Sequence, residues 1–177
     1  MMMTVIRHTD PEILVVPYSA YILHKLVYRL RETDRAECRA VTKDSVFDAV
    51  GAAARESHLA YYVMIDGQPE IIYGIRDMGY AQGCPWMLAT DAGVTGIRDE
   101  FLVAAPKMLE RLCLGYHRVF NYTLADYAWS HKWIKALGFT MGEPEKLGRS
   151  GEMMVRFWKG LEDGDSQIRF NRFPEKE

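Results

Sequence analysis

The chain has 177 residues, 49% of them apolar and 26% charged. That is ordinary globular usage, and it excludes a disordered chain, a collagen-like fibre and a coiled-coil rod. The length suits one domain, and 22 basic against 24 acidic residues leave a net charge of −2, too balanced to form a basic field for nucleic acid or an anionic membrane.

Cys38, Cys84 and Cys113 are odd in number, widely spaced and without a CxxC pair. They encode neither a disulfide framework nor a zinc cluster, and a reducing cytosol is the simplest setting. Met1 to His8 lacks the basic start, apolar stretch and small-residue cleavage site of a signal peptide. The notable uncharged run from Ile13 to Leu23 has 11 residues and contains Pro17, short of the ~18 to 20 that span a bilayer.

In chain order, Asp10-Pro11-Glu12 has the composition of a helix start, and Pro17 should stop or kink that helix. Tyr21, Ile22, Leu26, Tyr28 and Leu30 predict a helix over 18–30, with Thr33 or Asp34 capping a further short turn. Asp44-Ser45 then precedes an apolar stripe, Val46, Phe47, Ala49, Val50 and Ala53, that predicts a helix to about Arg55. The first third therefore reads as helices. Residues 59–65 and 70–75 are rich in Tyr, Ile and Val and flank Asp66-Gly67-Gln68-Pro69, a hairpin signal. A third strand is expected at 85–90.

After the connection 91–96 come Ile97, Phe101, Leu102, Ala105, Met108, Leu109, Leu112, Cys113 and Tyr116 at helical spacing, with Pro106 bending the helix. Residues 118–124 predict a fourth core strand and 125–137 a helix ended by Gly138, with Phe139 packing back. Residues 142–151 read as a loop and 153–158 as a last strand. The expected domain is 1–161, followed by a C-terminal tail over 162–177. This order gives an α/β fold with a mixed sheet, in which an antiparallel hairpin leads to a strand, a crossover helix and a parallel strand.

A strand that feeds a glycine-containing connection and then a helix can hold an anion, since backbone amides converge there. Residues 91–96 have this architecture without a Walker or GxGxxG pattern, so an anion site and a plain turn both remain open. The histidines 8, 24, 58, 117 and 131 show no metal-ligand spacing. Cys84 reads as a small buried hydrophobe before a nucleophile. Glu70 and Asp77 read as solvated strand ends before amine-binding groups. Trp129 and Trp133, four apart, share one helical face and read either as core or as a partner-binding stripe.

Four segments are similar to the GNAT superfamily of acyltransferases: Asp66-Gly67-Gln68-Pro69 with Tyr73-Gly74-Ile75; Cys84-Pro85-Trp86-Met87-Leu88-Ala89-Thr90; Ile97-Arg98-Asp99-Glu100-Phe101; and Lys132-Trp133-Ile134-Lys135-Ala136-Leu137-Gly138-Phe139. The chain more closely resembles the GNAT-like proteins of short-tailed bacteriophages, acyltransferases or internal virion proteins. The resemblance implies a single-domain GNAT-like fold with helices on both faces of the sheet. It also implies acetyl-CoA or another acyl-CoA, and no metal, in an opening between the third and fourth core strands.

On the same resemblance, the backbone of Leu88, Ala89 and Thr90 runs beside the pantetheine arm. Gly93, Thr95, Gly96, Ile97 and Arg98 lie at the pyrophosphate, and Trp133 holds the family's aromatic position. Gly93 and Gly96 stand three apart, unlike the family's Gln/Arg-x-x-Gly-x-Gly/Ala pattern. Ile134 takes the place of the usual tyrosine acid, and Tyr127 that of an upstream asparagine.

Acyl transfer to an amine needs a base, donors for the developing oxyanion and a proton for the leaving thiolate. Asn121, Tyr122 and Tyr127 are the candidates, the two tyrosines being as readily core or rim aromatics. The implied partners are an acyl-CoA and an amine acceptor, with no nucleic acid or membrane, in a host cytoplasm. The alternative is a non-catalytic GNAT-like protein acting in virion assembly or binding a host or virion protein. An open groove between the two strands favours catalysis. One filled by Trp86, Tyr122, Tyr127 or Trp133 favours the alternative.

Overall fold

The computed structural model describes residues 11–95 and 98–160. In chain order the elements are β1 (Ile13–Pro17), α1 (Ala20–Val27), α2 (Glu32–Val41), α3 (Val46–Glu56), β2 (Ser57–Ile65), β3 (Gln68–Asp77), β4 (Gln82–Ala89), α4 (Asp91–Thr95), α5 (Arg98–Leu112), β5 (Arg118–Leu124), α6 (Ala128–Ala136), β6 (Thr140–Lys146) and β7 (Met153–Lys159). They build one mixed seven-stranded sheet in the order β1-β2-β3-β4-β5-β7-β6, in which only β4 and β5 run parallel.

The expected hairpin is β2–β3, turned by Asp66 and Gly67, both in the left-handed region at φ 47° and 76°. Helices cover both faces. On one, Leu23, Leu26 and Val27 of α1 and Val50 and Ala54 of α3 close over Tyr62 and Ile72. On the other, Leu112 of α5 and Ile134 of α6 pack with Ile75, Val119 and Phe157. Burying these aliphatic side chains supplies the main stabilisation, about 1.5–3 kcal/mol for each. Gly138, at φ 82°, ends α6 as expected, and Phe139 turns back edge-to-face onto Phe157 at 5.2 Å.

Four local expectations are corrected. The segment after Pro11 is the edge strand β1, not a helix: Ile13 to Val16 suit a pleated strand, and Pro17 at the end of an outer strand forfeits no ladder bond. The short turn at Thr33 and Asp34 is the ten-residue helix α2, whose N-cap is Arg31. Residues 140–146, read mostly as loop, form β6, another edge strand, which accommodates Pro144 through an irregularity between Met141 and Pro144. The connection 91–95 is helical, the short helix α4, rather than an open glycine loop. Helix α5 runs through Pro106. The expected helix start at Asp10 and the tail 162–177 lie outside the described residues.

Candidate functional site

The parallel strands β4 and β5 pair at two positions, Gln82 with Arg118 and Gly83 with Val119, and then part. Pro85 supplies the local reason. Backbone groups of alternate residues point to the same neighbouring strand, so Pro85, two residues after Gly83, turns a position without an N–H toward β5 and the ladder cannot continue. The Asn121 Nδ2 donates across the gap to the Pro85 carbonyl oxygen at 2.9 Å, and the Asn121 Oδ1 accepts the Tyr122 N–H at 2.8 Å.

Beyond Asn121, α2 bonds to one backbone position on each edge of this wedge. Ala89 donates its N–H to Asp34 Oδ2 at 2.6 Å and accepts the Arg31 N–H at 3.0 Å. On the opposite edge, Leu124 donates its N–H to Glu37 Oε1 at 3.1 Å, and the Thr123 hydroxyl donates to the same oxygen. Burial pushes both carboxyls above their usual range, against the pull of the Arg31 guanidinium on Asp34 and of the Thr123 hydroxyl on Glu37. The filling of the wedge is therefore polar and comes from α2 and Asn121. Trp86 instead lies with the α1–α3 cluster and donates its indole N–H to Ser57 at 2.9 Å.

At the mouth of the wedge lies a cavity of about 450 Å³. Arg31, Glu32 and Thr33 at the start of α2 line it from one side. Asp91, Val94 and Thr95 of α4 and Tyr127 and Trp129 at the start of α6 line the others. The Arg31 guanidinium carbon stands 5.0 Å from the Trp129 ring centre and 5.7 Å from that of Tyr127, while Nη2 donates to Asp34 at 2.8 Å. This contact orders the mouth, whose charged lining is mixed: Arg31, Asp91 and Glu32, the last ion-paired with Arg39. Thr33 Oγ1 donates to the Tyr127 hydroxyl at 2.7 Å, and burial raises the phenol above its usual range, so it stays protonated at neutral pH.

The candidate residues divide accordingly. Ala89 and Asn121 lie on the wedge edges and Tyr127 and Thr95 at the mouth, whereas Leu88 packs against the α1–α3 cluster. Thr90 is committed to structure: buried, it donates to the Glu70 carboxylate and accepts the Gly93 N–H at 3.0 Å. Gly93 is pressed onto Glu70 so closely that a Cβ would stand 2.5 Å from the Glu70 carbonyl oxygen. Thr95 donates its hydroxyl to the Asp91 carbonyl at 2.8 Å. Trp133 stacks on Trp129 at 6.5 Å and 14°.

Tyr122 pairs with Arg156 of β7 in the sheet, and burial raises its hydroxyl pKa against the pull of the Arg156 guanidinium. Gly96 and Ile97 lie outside the described residues, and Arg98 opens α5. Glu70 is buried and ion-paired with Arg29 rather than solvated at a strand end. Cys84 is half-buried, and desolvation pushes its thiol up to about 11. The sequence patterns do not single out Glu37 and give Asp34 only a capping role. The available signal is an acidic pair three apart on one helical face.

No family model matches the sequence, and no curated protein matches it. Solved structures do. The chain superposes on Ard1 from Thermoplasma volcanium with a TM-score of 0.62 at 14% identity, over 85% of this chain and 99% of that one. With the ribosomal-protein-S18-alanine N-acetyltransferase of Escherichia coli the TM-score is 0.59 at 12% identity, over 90% and 100%. With a Bacillus subtilis acetyltransferase solved in complex with CoA it is 0.56 at 13%, over 86% and 99%. The fold is that of the GNAT acetyltransferases. Identities this low establish the GNAT fold alone, and the seven-stranded sheet with helices on both faces is the single-domain α/β arrangement expected.

Proposed function

We propose that the protein is an N-acyltransferase that takes its acyl group from acetyl-CoA or another acyl-CoA and passes it to an amine. The observation that carries this reading is the parting of β4 from β5 after Gly83 and Val119, which leaves two polar backbone edges running to a cavity beside Tyr127. The fold supports it: the structural neighbours are acetyltransferases, two of them solved with CoA.

The backbone of the wedge has the chemistry an amide-bearing pantetheine arm needs, because Ala89 turns both its N–H and its C=O into it. Those groups are engaged by α2, so the residues fit an acyl-CoA once the first turns of α2 have moved aside. In this reading the edge at Leu88, Ala89 and Thr90 lies beside the arm, with Trp133 on the α6 side. Gly93, Thr95, Gly96, Ile97 and Arg98 lie toward the pyrophosphate.

When bound, the donor supplies an activated thioester carbonyl, and the remaining work falls to the chain. Tyr127, at the mouth of the wedge and with its phenol pKa raised by burial, holds a proton for the leaving thiolate. Asn121 fixes the spacing of the two strands at the apex of the wedge and holds the Tyr122 N–H, with the Tyr122 phenol a second candidate proton donor. Of the charged groups at the mouth, Asp91 offers a carboxylate to a protonated amine acceptor, while Glu32 is ion-paired with Arg39.

Thiol release from acetyl-CoA in the presence of peptide amines and polyamines, measured with a thiol reagent, tests the reading. Turnover dependent on an amine supports it. Its absence with every acceptor class, together with absence of acetyl-CoA binding, overturns it.

A second reading has its own observation. The wedge edges are bonded internally at Ala89, Leu124 and Pro85 by Asp34, Glu37 and Asn121, and Ile134 at the family's tyrosine position is buried in the α5–α6 core. In that reading the chain is a non-catalytic GNAT-like protein of a bacteriophage, at work in the host cytoplasm in virion assembly or bound to a host or virion protein.

A further inference from the structure

Helix α2 holds its place differently from α1 and α3. Of its ten residues only Asp34 and Ala40 are buried, with Cys38 half-buried against the α1–α3 cluster. Its first turns are therefore fastened by polar bonds: Arg31 and Asp34 to Ala89 on one edge of the wedge, Glu37 to Thr123 and Leu124 on the other. Its C-terminal end is tied separately, the Arg149 N–H donating to the Ala40 carbonyl at 2.8 Å. The cavity of about 450 Å³ lies directly beside the N-terminal turn. A helix anchored at one end, fastened at the other by exchangeable hydrogen bonds and flanked by open space can swing without breaking an apolar core.

We propose that α2 is a latch on the wedge, in which Asp34 and Glu37 occupy the strand-edge amides a pantetheine arm would use, so that the donor enters only as the latch swings out. This rests on the acyl-CoA reading. The two carboxylates, three apart on one helix and each bonded to a different strand, span the gap and mimic a ligand that bonds to both edges. The folded protein then has a closed form, the one with these bonds made, and an open form competent to bind. Apparent affinity is reduced by the fraction of molecules that are open.

The test is calorimetric titration of acetyl-CoA into the wild type, the Asp34→Ala/Glu37→Ala pair and the milder Asp34→Asn/Glu37→Gln pair. Amide hydrogen exchange is read at Ala89 and Leu124. Thermal melts establish that each variant is folded, and if the alanine pair is not, the amide pair decides. The alanine pair is expected to bind about tenfold tighter and the amide pair about threefold, as the closed form loses population. Exchange at both amides should speed up in the free variants and slow again when acetyl-CoA binds.

An Asp91→Asn variant removes a formal charge at the mouth from α4, outside the latch, and should gain less. An equal gain would make charge alone the cause and overturn the latch. Equal affinity in the wild type and every folded latch variant overturns the latch and leaves the acyltransferase reading standing. Absence of binding in all of them overturns both.

Discussion

Asp34 Oδ2 accepts the Ala89 N–H at 2.6 Å, across 55 positions of sequence, and this bond joins helix α2 to the strand edge exposed where β4 leaves β5. A buried amide must find a partner, and leaving it without one costs about 1–3 kcal/mol. Asp34→Ala is therefore expected to lower stability by about that amount. Asp34→Asn keeps an acceptor for Ala89, although it weakens the pairing with Arg31, and should lose clearly less. Chemical denaturation of the two variants checks this, and equal losses would mean that the amide bond carries no weight.

Glu37 carries the pH dependence. Burial raises its carboxyl above 4.5, so the folded state takes up a proton that the unfolded state releases. Its contribution to stability is complete below the unfolded value and is lost as pH rises through the raised folded value. Glu37→Gln keeps the acceptor for Thr123 and Leu124 but cannot ionise. The stability of this variant relative to wild type should rise as pH increases above 4.5, and parallel pH curves would contradict the assignment.

Gly93 packs without a side chain against Glu70, where a Cβ would stand 2.5 Å from backbone oxygen and 3.0 Å from Ile71 Cγ1. Gly93→Ala forces α4 off β3 and should cost about 1–3 kcal/mol. An unchanged denaturation midpoint would show that α4 yields freely.

Much of this fold can be read from residue patterns, and the places that cannot have physical causes. The β2–β3 hairpin is legible because apolar and aromatic residues flank Asp66-Gly67, where the chain must take positive φ. Helix α3 is legible because Ser45 caps it, accepting the Asp48 N–H at 3.1 Å. Strands β1 and β6 are opaque because edge strands need little alternation and tolerate Pro17 and Pro144. The wedge is legible only through resemblance, although Pro85 carries its local cause. Asp34 and Glu37 escape notice because charged residues on a polar helix read as a solvated face, and their partners are backbone amides more than fifty positions away.

Tyr127 carries the chemical prediction. Its hydroxyl sits at the cavity mouth, where it accepts a bond from the exposed Thr33. Tyr127→Phe should lower acyl transfer by about 100-fold, the scale of a lost general acid, with little change in melting temperature. An unaltered rate removes it from the mechanism.

The central claim, that the wedge between β4 and β5 admits an acyl-CoA, is tested most directly by the melting temperature with and without millimolar acetyl-CoA. A ligand that binds only the folded state stabilises it by about 2.7 kcal/mol at a hundredfold excess over its dissociation constant. A rise in the wild type, larger in the folded Asp34→Asn/Glu37→Gln variant, is the predicted result. An unmoved midpoint in both would contradict the claim and leave a GNAT fold whose wedge is closed by its own carboxylates.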